Sequence, residues 1–275
     1  MFGFGAGFVL TQFGLRFMQP WVGVAISIPT STLLFWWLAP FFVDPSEGSL
    51  TAVVLFACVG LFFPGTAALL NFESNRLLGP NIAGALSSMS PVLAVILAIV
   101  MLGERIRGPQ LPALAAIVGG ITLMYRVHVN PSARSLWLLA VPLAAAAIRG
   151  VVQPIIRFGF EWWRNPIAAV VVSYTVSSTV LIVSALVRTR WTIPDVDHRG
   201  ALWFAVVGLC NGLSVLAMYA AIEYGPVTVV SPIVAGYPLV TLLLSRAFLE
   251  KEHVGLQMIG GVTSAVCGVV LLLVT

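Results

Sequence analysis

Between its polar connectors the chain is apolar for about 20 residues at a time, the length a helix needs to cross a bilayer. Ten such runs can be drawn: 1–18, 21–43, 50–72, 81–102, 110–126, 135–159, 166–187, 200–222, 227–249 and 254–275. The connectors, such as "DPSEGS" and "GERIRGPQ", are too short to hold a soluble domain. Only 9% of residues are charged, against about 25% in soluble domains, so the chain lacks the polar surface of a water-soluble globule. The pattern predicts an all-α, multi-pass protein of the cell membrane, in contact with lipid along its length. The first run starts at Met1 already apolar, and the expectation is a first span that is truncated or whose start is misplaced. No basic segment with a cleavage site marks a removable signal peptide.

The formal charge of +4 does not indicate a nucleic-acid partner, because the basic residues are scattered singly and form no stripe. Cys58, Cys210 and Cys267 lie inside apolar runs and read as packing residues. His128, His198 and His253 fall in polar connectors, so no histidine cluster is expected at membrane depth. There is no phosphate loop, no HExxH and no glycine-rich nucleotide fingerprint. The expectation is therefore no cofactor, no metal and no enzymatic chemistry. Oligomeric state cannot be read from the sequence.

The two halves repeat each other. "FACVGLFFPG" (56–65) aligns with "FAVVGLCNGL" (204–213). Gly79-Pro80 then meets Gly225-Pro226, Pro91 meets Pro238, Glu104 meets Glu252 and Gly120 meets Gly268, at an offset of about 146–148 residues. Earlier, "TQFGLRF" (11–17) faces "VQPIIRF" (152–158), pairing Gln12 with Gln153 and Arg16 with Arg157. One copy holds five spans. Five is odd, so the second copy enters from the opposite side, and the halves are expected to be inverted repeats, residues 1–126 and 135–275. In secondary transporters built this way the substrate site lies near the midplane, at the repeat interface.

The stretch "NRLLGPNIAGALSSMSPVLAVILAIVMLGERIRGPQLPALAAIVGGITLM" resembles helices four and five of the EamA-type drug/metabolite transporter superfamily. Pro91, then Leu102-Gly103-Glu104, then Gln110 and Gly119-Gly120 carry the resemblance, and 220–273 is similar, with "EKE" in place of "LGE". The resemblance implies a ten-helix basket with a central cavity, and transport of a small solute. It also implies cytoplasmic termini. The distribution of arginines opposes this and would place the termini outside.

Arg149 stands alone in "PLAAAAIRGVVQPII". Near the middle of a span, about 15 Å from each end, its side chain cannot reach the interface. A central Arg costs about 2.5–3.5 kcal/mol to insert, so a polar environment is required. No carboxylate is expected at the same depth, and Phe8 occupies the aligned position in the first copy. Arg149 is thus either a lock on neighbouring carbonyls or a cavity group that takes an anionic solute. Gln153, one turn on, and its partner Gln12 are expected to approach across the pseudo-axis, binding solute or tying helices together. Asn211 has the same two roles open to it. Pro91 and Pro238 predict bends, with Ser88, Ser90 and Tyr237 beside them on the cavity wall. Glu73 and Arg76, three apart, predict a local ion pair. The functional expectation is a secondary transporter that moves a small polar metabolite, an amino acid or other carboxylate-bearing solute, outward by alternating access. The alternatives are a non-transporting scaffold and an intramembrane enzyme.

Overall fold

A computed structural model describes residues 1–87, 89–105, 108, 110–126, 133–188, 196–248 and, near the end, 260–261, 263–264, 267–268 and 270–271. Ser88, Glu252, His128, His253 and most of the expected last span lie outside the described residues. Every regular element described is helical. In chain order they are α1 (Phe2–Gly14), α2 (Pro20–Phe42), α3 (Leu50–Phe62), α4 (Gly65–Ser87), α5 (Ser90–Leu102) and α6 (Gln110–Arg126). The second half supplies α7 (Ala133–Gly159), α8 (Pro166–Arg188), α9 (His198–Tyr224), α10 (Val227–Val234) and α11 (Tyr237–Phe248). Among the described residues, six stretches are long and apolar enough to cross a membrane. One of them, Leu50–Leu102, is 53 residues long. At 1.5 Å per residue that is more than twice the bilayer core, and the chain turns within it at Gly79.

Local chemistry places each interruption. Gly79 has φ 78°, a backbone shape that favours glycine, and Pro80 then opens the next helical segment with a ring already set for it. The run expected as one span at 50–72 is two helices, broken at Phe63-Pro64, because Pro64 cannot donate the hydrogen bond a continuous helix needs. The spans around Pro91 and Pro238 are also split, into α4 and α5 and into α10 and α11. Pro91 and Pro238 do not sit at mid-helix bends. Each is the second residue of a new helix, where a missing N–H costs nothing.

The halves pack by exchanging equivalent contacts. Gly60 in α3 lies against the carbonyl of Ser173 in α8, and a Cβ there would stand 2.6 Å from that oxygen. Gly208 in α9 lies in the same way against the carbonyl of Ser27 in α2, at 2.2 Å. Both glycines exist because two helices approach to backbone contact. Thr32 and Ser178, 146 residues apart, share a hydrogen bond of 2.6 Å between their hydroxyls. Residues one repeat apart that touch each other lie on the axis relating the copies. Along the same α2–α8 contact Trp36 donates to Thr175 and Asn165 donates to the carbonyl of Phe42. Residue numbers rise on one helix as they fall on the other, so these equivalent helices are antiparallel. That is the geometry of an inverted pair.

Two long-range polar contacts close the ends of helices. The Glu104 carboxylate accepts from the backbone N–H groups of Val227 and Thr228, each at 2.9 Å, and so caps α10. It meets both a free donor pair and the positive end of the helix dipole. Arg157 donates to the carbonyls of Ile222 and Glu223 at 2.9 and 2.6 Å, at the negative end of α9. Its aligned residue Arg16 instead lies 4.9 Å over the ring of Phe13. Glu73 and Arg76 form the expected pair, with Nε 3.1 Å from the carboxylate.

Candidate functional site

A cavity opens among α1, α2, α4, α7, α8 and α9. Both repeats contribute. Arg149 reaches it from α7, Asn211 from α9, Thr11 from α1, Ser31 from α2 and Asn71 and Asn75 from α4. Phe4, Phe8, Phe63, Phe72 and Tyr174 supply aromatic walls. Among the described residues no Asp or Glu lines the cavity.

Small residues set the position of Arg149. Four alanines, 144–147, and Ile148 precede it, and Gly150 lies so close to α5 that a Cβ would stand 2.7 Å from the carbonyl of Ser90. The α7 backbone is therefore pressed onto α5, which aims the neighbouring Arg149 inward. The side chain is 5% exposed. Its guanidinium carbon sits 5.1 Å from the centroid of the Phe4 ring and 5.7 Å from that of Tyr237. Such cation–π contacts are worth about 0.5–2 kcal/mol and offset part of the cost of taking the charge out of water. They leave the hydrogen-bonding capacity largely unspent. Of five N–H donors, one points at the Tyr237 hydroxyl, at a long 3.4 Å. Nε has no partner among the described residues. No carboxylate forms an ion pair with Arg149 there, where the one ion pair is Glu73–Arg76.

The other expected site residues divide into two groups. Asn211, like Arg149, lines the cavity. Its amide lies against Gly7, where a Cβ would overlap it, so the glycine keeps Asn211 in place. Gln12, Gln153, Ser90 and Tyr237 are not among the lining residues. Gln12 and Gln153 do not hydrogen-bond to each other, because each has a nearer partner. Gln12 donates to the carbonyl and the Oδ1 of Asn75, at 2.7 and 2.6 Å. Gln153 donates to the carbonyl of Arg149 at 3.2 Å, one turn back on the same helix. Ser90 and Tyr237 are buried behind the wall. Tyr237 stacks on Phe8 with centroids 5.5 Å apart and supports Arg149 from beneath.

Asn71 and Asn75 belong to the wall and were not foreseen. Asn75 is committed to protein, donating to the carbonyl of Phe8 and accepting from Gln12. Asn71 accepts from the hydroxyl of Ser87 at 2.7 Å. Their i, i+4 spacing on one face was the available signal. It was hidden because the span had been ended at residue 72, whereas the helix runs on to the turn at Gly79.

Comparison with known proteins bears on what such a cavity serves. The profile of the EamA-like transporter family matches residues 1–126 and 135–274. The search of curated proteins found no match. A solved structure titled only "Crystal structure of protein" superposes with a TM-score of 0.72, over 98% of this chain and 94% of that one. At 17% identity, that likeness concerns the fold alone.

Proposed function

Because the chain belongs to the EamA-like transporter family, a family of multi-pass membrane transporters of small solutes, we propose that it carries a carboxylate-bearing solute. Transport proceeds by alternating access, in the export direction, between two inverted five-helix halves that make ten spans in all. The antiparallel contact of α2 with α8 supports the inversion. The cavity between the copies supports a solute path along their interface.

The observation that carries this reading is Arg149. A buried guanidinium on a cavity wall, with no acid lining that cavity and one long hydrogen bond among the described residues, is poised for an anion. A carboxylate offers two oxygens that match two guanidinium N–H groups in parallel, a geometry Lys cannot reproduce. The test is flux in proteoliposomes loaded with a panel of small carboxylates and of amines. Saturable efflux of at least one carboxylate, lost in Arg149→Ala, is expected. No carboxylate flux above that of empty liposomes would contradict the reading.

A further inference from the structure

The charges and polar groups of the cavity narrow the solute further, granted the reading of Arg149 above. Among the described residues one fixed cation lines the cavity, and no carboxylate does. A solute ammonium group would find repulsion from Arg149 and no counter-charge. The two rings that flank Arg149 are already engaged by its guanidinium. Low effective dielectric makes that imbalance costlier than it would be in water.

A second pole lies further along α1. Arg149 packs on Phe4, and the Asn211 amide lies on Gly7, three residues on, or about 4.5 Å of helix rise. Both side chains line the same cavity, so one solute can meet both. Asn211 lines the cavity and makes no hydrogen bond among the described residues, so its amide can serve a solute. Phe8, Phe63, Phe72 and Tyr174 line the same cavity and offer flat apolar walls.

We propose that the solute is a monoanion without an ammonium group: a carboxylate on a flat apolar body that ends in a neutral hydrogen-bonding group. Arg149 holds the carboxylate, and Asn211 holds the neutral end. Gly7 is the positioning residue that leaves Asn211 its place.

Four probes that share one ring separate the contributions: 4-hydroxyphenylacetate, phenylacetate, tyrosine and tyramine. Binding to the purified full chain is measured by calorimetry, with thermal melting recorded for every variant. The expected order places 4-hydroxyphenylacetate at least tenfold tighter than phenylacetate and at least tenfold tighter than tyrosine, with tyramine not bound. Asn211→Leu should bring 4-hydroxyphenylacetate down to the affinity of phenylacetate. Asn211→Asp, close to isosteric, should weaken every carboxylate probe by placing an anion in the cavity, and should give the ammonium of tyramine its first counter-charge there.

Equal binding of 4-hydroxyphenylacetate and phenylacetate, both lost in Arg149→Ala, would overturn the Asn211 pole and leave the Arg149 reading standing. Tyrosine bound as tightly as 4-hydroxyphenylacetate would overturn the exclusion of ammonium. Tyramine bound in preference to every carboxylate, or no binding of any carboxylate probe, would overturn the inference, and the former would also remove the Arg149 reading.

Discussion

The two repeats are alike where helices touch and unlike where the cavity lies. Gly60 on Ser173 and Gly208 on Ser27 are one contact made twice, and Thr32 meets its own counterpart Ser178. Around the cavity the correspondence fails. Arg149 in one copy aligns with Phe8 in the other, and both contact the Tyr237 ring. The α3–α4 break at Phe63-Pro64 puts both residues on the cavity wall, whereas α9 runs unbroken past the aligned Gly212. Backbone contacts are constrained by geometry, which is shared, while a solute has no two-fold symmetry. Chemistry that must recognise it belongs at positions where the copies differ.

That contrast can be broken most visibly at the shared contacts. Gly60→Leu and Gly208→Leu should each destabilise the protein, by about 1–3 kcal/mol, since an inserted side chain must push two backbones apart. Melting in detergent would show a clear drop for both, and a drop for one alone would mean that the repeats do not share this contact.

A smaller effect is expected at Glu104. Glu104→Gln leaves one carbonyl oxygen where two carboxylate oxygens each took an N–H, and removes the charge at the α10 terminus. Stability should fall by about 1 kcal/mol, with the substitution read out by denaturation in detergent. An unchanged midpoint would show that the cap is idle.

The smallest effect sharpens the comparison between copies. Arg157→Met removes a cation from the α9 carbonyls and should cost about 0.3–1 kcal/mol. Arg16→Met, at the aligned position, should cost less, because Arg16 is exposed and meets the Phe13 ring in place of a helix end. Paired melts of the two variants would test this difference, and equal losses would remove it.

Much of this fold could be read from the chain, for a physical reason. A bilayer allows only helices that satisfy their own backbone, so apolar runs of the right length become spans with little ambiguity. The repeat was legible because glycine and proline mark backbone geometry directly. The helix breaks were less so. Pro64 was folded into one span, and Pro91 and Pro238 were read as bends, because sequence does not show on which side of a proline the helix ends. Arg149 was legible because a lone charge in an apolar run demands an environment. Gln12 and Gln153 misled because their alignment suggested they would meet, while local rotamers found Asn75 and the Arg149 carbonyl first. The partner of Glu104 lies 123 residues away, and nothing local points to it.

The central claim is that Arg149 is held ready for a solute carboxylate and is not a lock on the fold. The direct measurement is carboxylate affinity together with melting temperature for Arg149→Ala and Arg149→Lys, using the carboxylate that shows flux. Loss of a charge-assisted contact of about 1.5–3 kcal/mol predicts a roughly ten- to hundredfold weaker Kd in Arg149→Ala, with melting little changed. Arg149→Lys should recover only part of the affinity, since an ammonium cannot make the paired contact. Unchanged affinity with a collapsed melting temperature would contradict the account and make Arg149 a structural lock.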